Sequence, residues 1–320
     1  MKRNTVFTTS ISSQLKAIAM IFMLVHHLWV NDVITSAYGL SEASWGGGYL
    51  LRIGALCKIC VGIFMFISGY GLMNLYSKGK YNILHSIKKT ILPFWFVLLL
   101  YVPCISIYRH VSVSEILGNA LILSHSINGS WWFLQTYLIF VCLVPLFAYT
   151  MRHRCIMITI ALVSCIFFQY IGTQIRPFSD GMHYVLHYFP IFYIGMIANK
   201  EDLINRLSAI PLWKSIPPLT LIIILRFFAG FSILNVAIIF ALLLLLIKCQ
   251  PAIPTIIKST MQFLGKMSMN MWYVHMFFIT YCFHFTNPLF DLIIVYCESL
   301  MAAFIIDRVY ESLSKHINKQ

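Results

Sequence analysis

The chain has 320 residues, of which 60% are apolar or aromatic and only 10% carry a formal charge. A soluble protein normally has about 25% charged residues, so this composition excludes a water-soluble fold and requires apolar surface that faces lipid. The net charge of +13 does not point to nucleic acid, because in a membrane protein the first role of basic residues is to set which side a loop occupies.

A bilayer-spanning helix needs about 20 mostly apolar residues, and the apolar runs predict an all-α polytopic bundle of about ten transmembrane helices. In chain order, the predicted crossings are 15–33, 55–75, 89–108, 131–150, 155–172, 184–199, 216–232, 233–248, 268–286 and 288–306. For the run 117–126, a re-entrant or interfacial segment is the alternative to a further crossing. We expect one membrane-embedded domain over 1–320, with short tails at 1–14 and 307–320.

The basic residues orient this bundle. With the amino terminus in the cytoplasm, 18 of the 23 basic residues fall on the cytoplasmic side, which predicts that both termini are cytoplasmic. These 18 are Lys2, Arg3, Lys16, Lys78, Lys80, Lys88, Lys89, Arg152, Arg154, Lys200, Arg206, Lys214, Lys248, Lys258, Lys266, Arg308, Lys315 and Lys319.

The first predicted crossing carries ionisable residues where they are energetically expensive. Lys16 and His27 are eleven residues apart, which on a helix is three turns plus about 20°, so both lie on one face about 16 Å apart along the axis. His26 points about 100° away. Spacing alone favours a snorkelling lysine and an interfacial histidine, while the functional alternative is a polar stripe facing the bundle interior.

Small residues mark the second crossing. Gly62, Ser68, Gly69 and Gly71 form a stripe that permits close approach of another helix or of a ligand. The C-x-x-C formed by Cys57 and Cys60 has no second pair and no nearby histidine, so we expect packing residues and no metal site.

Paired tryptophans, Trp131 and Trp132, follow a polar stretch at the predicted outer interface. Two interpretations fit them equally well: an aromatic belt at the membrane interface, and an aromatic surface beside a bound sugar.

The remaining intramembrane polar residues lie further along the chain. His275 in the ninth crossing is by itself more typical of a hydrogen-bonded structural residue than of a catalyst. Glu298 in the tenth crossing is expected to pair with Arg226 or with Lys58, because a buried charge without a partner is costly.

Five segments in this order resemble acyltransferase family 3, the integral-membrane O-acyltransferases that modify cell-envelope glycans. The segments are the Lys16 and His27 pair, Phe64–Gly69, Trp132–Leu134, Phe189–Gly195 and Ser268–His275. The family typically has arginine at the position of Lys16; lysine keeps the charge but lacks the planar fork that suits phosphate.

The resemblance implies transfer of an acyl group, most often acetyl, from cytoplasmic acyl-CoA to a hydroxyl of an extracytoplasmic glycan or glycolipid, in the inner (plasma) membrane. It assigns Lys16, Ser68 and Gly69 to the donor and His27 to catalysis, either as general base or as a transient acyl carrier. Acyl-CoA is then a substrate, and no bound cofactor is expected. Outer loops at 31–50 and 109–130 are expected to select the acceptor.

The alternative is a transporter or flippase of a glycan or lipid-linked precursor, although the internal repeats common in transporters are not apparent.

Overall fold

A computed structural model describes residues 6–30, 47–170, 180–229, 234–282 and 287–317, and all regular secondary structure in these ranges is helical. The helices are α1 (Thr9–Trp29), α2 (Gly47–Cys57), α3 (Ile59–Ser77), α4 (Ile83–Ser106), α5 (Val113–Ala120), the 3₁₀ turn Gly129–Trp131, α6 (Trp132–Thr150), α7 (Arg154–Tyr170), α8 (Asp180–Lys200), α9 (Leu203–Ser208), α10 (Leu212–Ala229), α11 (Asn235–Cys249), α12 (Thr255–Tyr281) and α13 (Pro288–Ile317).

Every predicted crossing overlaps a helix, which confirms the all-α class. By length and apolarity, five segments of the described chain qualify as membrane spans, and two shorter apolar helices cover Arg154–Phe167 and Asn235–Cys249. The five are Thr9–Trp29, Gly48–Ser77, Ile83–Ser106, Gly129–Thr150 and Pro288–Leu313. A count of about ten crossings and the cytoplasmic location of the termini therefore stay predictions.

The relative directions of the helices agree with alternating crossings. On α1 and α12, Ser13 lies against Gly265 and His27 against His275, so these two helices run parallel. In contrast, α11 runs antiparallel to α1, because Gln250 just after α11 donates to Gln14 near the start of α1, at 2.7 Å. The helices α1, α11 and α12 overlap the first, eighth and ninth predicted crossings, and alternating crossings would have these same relative directions.

Two helix pairs form the closest packing of the bundle, α3 with α8 and α1 with α12. A Cβ at Gly69 would collide with the carbonyl oxygen of Phe192, and one at Gly195 would collide with that of Phe66. At Gly265 a Cβ would collide with the carbonyl oxygen of Ser13. Small residues bring helix backbones together in this way inside membranes.

The segment predicted as re-entrant or interfacial, 117–126, overlaps the second half of the short helix α5. Ser112 and Glu115 form a reciprocal capping box at its start, and Arg109 forms an ion pair with Glu115 at 3.2 Å. The backbone N–H of Ser112, and then Arg109, hold the pKa of Glu115 below its usual value. These contacts order the connection between α4 and α6.

We expect Gly69→Ala to destabilise the protein, because the added methyl group forces α3 and α8 apart. Overpacking of this kind costs about 1–3 kcal/mol, which is measurable as a lower midpoint of thermal unfolding in detergent. Gly71→Ala on the same helix is the control, because a Cβ there meets nothing within 4 Å. Equal midpoints for the two variants would contradict the close crossing.

Candidate functional site

A cavity of about 160 Å³ lies between α1, α3, α4, α6 and α12. Its polar lining comes from one cation and four hydroxyl groups, and the rest is apolar or aromatic. The polar residues are Lys16, Ser68, Thr90, Tyr137 and Ser268, and the others are Met23, Phe64, Phe133, Leu134, Met269 and Trp272. The cavity thus offers a positive charge at Lys16 beside a largely apolar interior.

Along α1 the cavity leads from Lys16 to Met23, and His27 lies one turn beyond Met23 on the same helix face. Along α12 it extends to Trp272, and His275 lies about one turn further. Because α1 and α12 run parallel, both histidines lie past the same end of the cavity. Spacing predicts that Lys16 and His27 share one face of α1. This face is directed toward the bundle interior: Lys16 lines the cavity, and His27 contacts α12 beyond it.

The two histidines are neighbours across the α1–α12 interface. The ring centroids of His27 and His275 are 5.1 Å apart, and His275 has no exposed surface. Nδ1 of His275 lies 2.7 Å from the carbonyl oxygen of Trp272. The His26 ring is centred 5.2 Å from that of His27, and its Nδ1 lies 2.9 Å from the carbonyl oxygen of Gly54. His27 thus has two neighbouring imidazoles, each of which contacts a backbone carbonyl.

Of the three residues predicted to bind the donor, Lys16 and Ser68 line the cavity, whereas Gly69 does not. Gly69 faces the backbone of Phe192 on α8, so its contribution is close helix packing. Thr90 and Tyr137 line the cavity without having been singled out in the sequence. A lone hydroxyl in an apolar run carries no signal of its own, and only the meeting of α4 with α6 makes it part of a site.

The paired tryptophans have separate environments. Trp131 is only 2% exposed, and its Nε1 donates to the carbonyl oxygen of Tyr273 at 3.1 Å. The amide of Asn128 donates to the same oxygen at 3.1 Å. Trp131 therefore anchors α12 inside the bundle, away from the lipid interface. The half-buried ring of Trp132 stacks on Tyr184 with centroids 3.8 Å apart.

The predicted ion pair of Glu298 with Arg226 or Lys58 is wrong. Arg226 instead donates from Nε to Asn235 at 3.0 Å and from a terminal nitrogen to the carbonyl oxygen of Ala55. In the described ranges, salt bridges are limited to Arg109 with Glu115. The amide oxygen of Asn235 and a backbone carbonyl replace the expected carboxylate, because they satisfy guanidinium N–H groups without burying a second charge.

Comparison with known proteins gives one match. A family model for an acyltransferase domain, that of acyltransferase family 3, covers residues 13–306. No curated protein and no solved structure matches the chain significantly. The match spans most of the chain, so the protein belongs to acyltransferase family 3, which confirms the resemblance. Together with the apolar helices, it defines a membrane protein of the transferase class. The predicted acceptor loop at 31–50 lies mostly outside the described residues.

We expect Asn128→Ala to destabilise the protein by about 1–3 kcal/mol, because it removes buried hydrogen bonds. The Asn128 amide donates to the carbonyl oxygen of Tyr273, and its oxygen accepts from the backbone N–H and the hydroxyl group of Ser130. The measurement is the thermal unfolding midpoint in detergent. Asn74→Ala on α3 is the matched control, since the Asn74 side chain makes no hydrogen bond to the described residues and only its backbone carbonyl oxygen accepts from the Ser77 hydroxyl group. A midpoint as high as that of the control would contradict the anchoring role.

Proposed function

We propose that the protein is a membrane O-acyltransferase that moves an acyl group, most often acetyl, from cytoplasmic acyl-CoA to a hydroxyl of an extracytoplasmic glycan or glycolipid. The observation that carries this proposal is the cavity that runs from Lys16 to Met23 and Trp272, about one turn short of the level at which His27 meets His275. A donor entering at the Lys16 end has its reactive end directed toward a histidine.

The donor fits the chemistry of this cavity. Acyl-CoA carries phosphate charges on a bulky nucleotide and ends in a narrow arm with a thioester. A cavity of about 160 Å³ is smaller than pockets that enclose drug-sized ligands, which have about 300–1,000 Å³. It therefore suits the narrow arm and the acyl group, while the nucleotide stays at the mouth, where the Lys16 ammonium attracts phosphate.

His27 supplies the base that a hydroxyl acceptor needs. One ring nitrogen of His27 takes the proton of the acceptor hydroxyl while the acceptor oxygen forms a bond to the acyl carbon. The bond between the acyl carbon and sulfur breaks, and the thiolate of CoA leaves with its electron pair. The proton on His27 then passes to that sulfur, which returns the histidine to its neutral state.

The predicted sidedness gives this reaction its direction. Residues at the Lys16 end of the bundle also include Lys200 and Lys248, each of which donates to a carbonyl oxygen near a helix end. This accumulation of basic residues supports a cytoplasmic location of the Lys16 end in the inner membrane. The His27 end then faces the acceptor on the opposite side.

We expect His27→Ala to reduce acyl transfer by at least about 100-fold, because general-base catalysis contributes about 10²–10⁴-fold. The measurement is mass spectrometry of O-acetyl groups on the envelope glycans of a deletion strain that carries the variant, with the amount of protein in the membrane determined in parallel. His85→Ala, at an exposed position on α4, is expected to acetylate normally. Full acetylation by His27→Ala at equal protein levels would contradict the assignment.

We expect Lys16→Ala to raise the KM for acetyl-CoA about tenfold or more, since charged hydrogen bonds contribute about 1.5–3 kcal/mol. Lys16→Arg keeps the charge and is expected to restore most of the affinity. Lys214→Ala removes an exposed lysine on α10 and is the control. An unchanged KM in Lys16→Ala would leave Lys16 as a snorkelling side chain.

A transporter of the same acceptor would behave differently in one direct assay. Membrane vesicles containing the protein are supplied with acetyl-CoA labelled in the acetyl group. An acyltransferase releases CoA and transfers label to acceptor material, whereas a transporter does neither.

A further inference from the structure

The buried histidine on α12 has a defined tautomer. Nδ1 of His275 lies 2.7 Å from the carbonyl oxygen of Trp272, and a carbonyl oxygen can only accept a hydrogen bond. The proton of a neutral His275 is therefore on Nδ1, which leaves a lone pair on Nε2. The backbone of α12 itself fixes this arrangement, because Trp272 and His275 are one turn apart on the same helix.

Nε2 of His275 is a buried acceptor with no hydrogen-bond partner among the described residues. Buried polar atoms nearly always have partners, and one without a partner in a native structure calls for an explanation. The His27 ring, with its centroid 5.1 Å from that of His275 and tilted by 45°, lies beside it. Two imidazole rings at this spacing can place a nitrogen of each ring about 3 Å apart when the nitrogens face each other, which is hydrogen-bond distance.

We propose that His275 is a positioning residue whose Nε2 accepts a hydrogen bond from a ring N–H of His27, so that the other nitrogen of His27 presents its lone pair to the acceptor hydroxyl. This inference rests on the proposed role of His27 as general base. The arrangement follows the logic of catalytic triads, in which a third group orients the base and stabilises its protonated form. Here the third group is a neutral imidazole, so no additional charge is buried in the membrane.

The proton balance of the transfer step is unchanged by this contact. The acceptor proton moves to the free nitrogen of His27, and the same proton later reaches the sulfur of CoA. The N–H that His27 shares with His275 stays on His27 throughout. His275 therefore exchanges no proton, and its contribution is orientation of the His27 ring and stabilisation of the imidazolium.

His26 provides a matched comparison within the same cluster. Its ring is centred 5.2 Å from that of His27, and its Nδ1 also contacts a backbone carbonyl, that of Gly54. The difference is burial: His26 is partly exposed, whereas His275 is fully buried. Proximity alone would give the two residues equal roles, while the need of a buried acceptor for a partner selects His275.

The first experiment observes the tautomer directly. The full-length protein is labelled with ¹⁵N in the histidine rings, reconstituted in lipid nanodiscs, and the His27 signals are assigned by their absence in His27→Gln. We expect one His27 nitrogen at a protonated shift and the other at an unprotonated shift in the wild type and in His26→Gln. In His275→Ala we expect the two signals to move toward an average of both tautomers.

The second experiment measures transfer of labelled acetyl groups from acetyl-CoA to membranes of a deletion strain. Loss of a hydrogen-bond partner that orients a metal-ligating histidine typically reduces activity about 10–100-fold, and we expect kcat to fall by a comparable factor in His275→Ala with the KM for acetyl-CoA unchanged. His275→Gln keeps an acceptor oxygen and is expected to recover most of the rate, and His26→Gln to change it little. A Gln variant as slow as the Ala variant overturns the proposal.

The two readouts separate this inference from the proposed function. A wild-type spectrum in which His27 averages both tautomers overturns the positioning role, whether or not the protein transfers acyl groups and whether or not His275→Ala folds. A fixed His27 tautomer that depends on residue 275, in a protein that transfers no acetyl group, supports the contact and contradicts the acyltransferase proposal instead.

Discussion

The site depends on the contact between α1 and α12. Gly265 lets the backbone of α12 meet the carbonyl of Ser13 directly, and this sets the axial register of two parallel helices. Because the register is set near one end, the rings of His27 and His275 come together near the other. A side chain at position 265 would separate the helices and with them the two histidines, although neither histidine touches the glycine.

Polar groups around this contact illustrate how a membrane bundle satisfies hydrogen bonds without water. Ser10 accepts from Gln262 at 2.7 Å, and Gln14, which is fully buried, accepts from Gln250. These amides join α1 to α12 and to the end of α11. In the second half of α12, Asn128 and Trp131 both donate to the carbonyl oxygen of Tyr273. Both halves of α12 are thus fixed by side chains of other segments, which keeps the cavity wall in place.

The same constraint explains why the predicted ion pair did not form. A guanidinium with neutral oxygen acceptors needs no buried carboxylate, and Arg226 has such acceptors in Asn235 and Ala55. Sequence reasoning that matches charges by sign overlooks neutral partners, since amides and backbone carbonyls occur throughout the chain and carry no positional signal. The intramembrane histidines were easier to single out, because a rare polar residue in an apolar run is conspicuous.

The sequence by itself determined the class of the protein: its apolar runs define a helical membrane bundle, and its ordered motifs identify the family. It also determined that Lys16 and His27 share a face, because helical periodicity is a local property. Only the tertiary structure decided that this face meets His275, that Trp131 is buried, and that Gly69 contacts α8 instead of lining the cavity. These outcomes depend on which helices pack together and in what register, and such contacts join residues far apart in the chain.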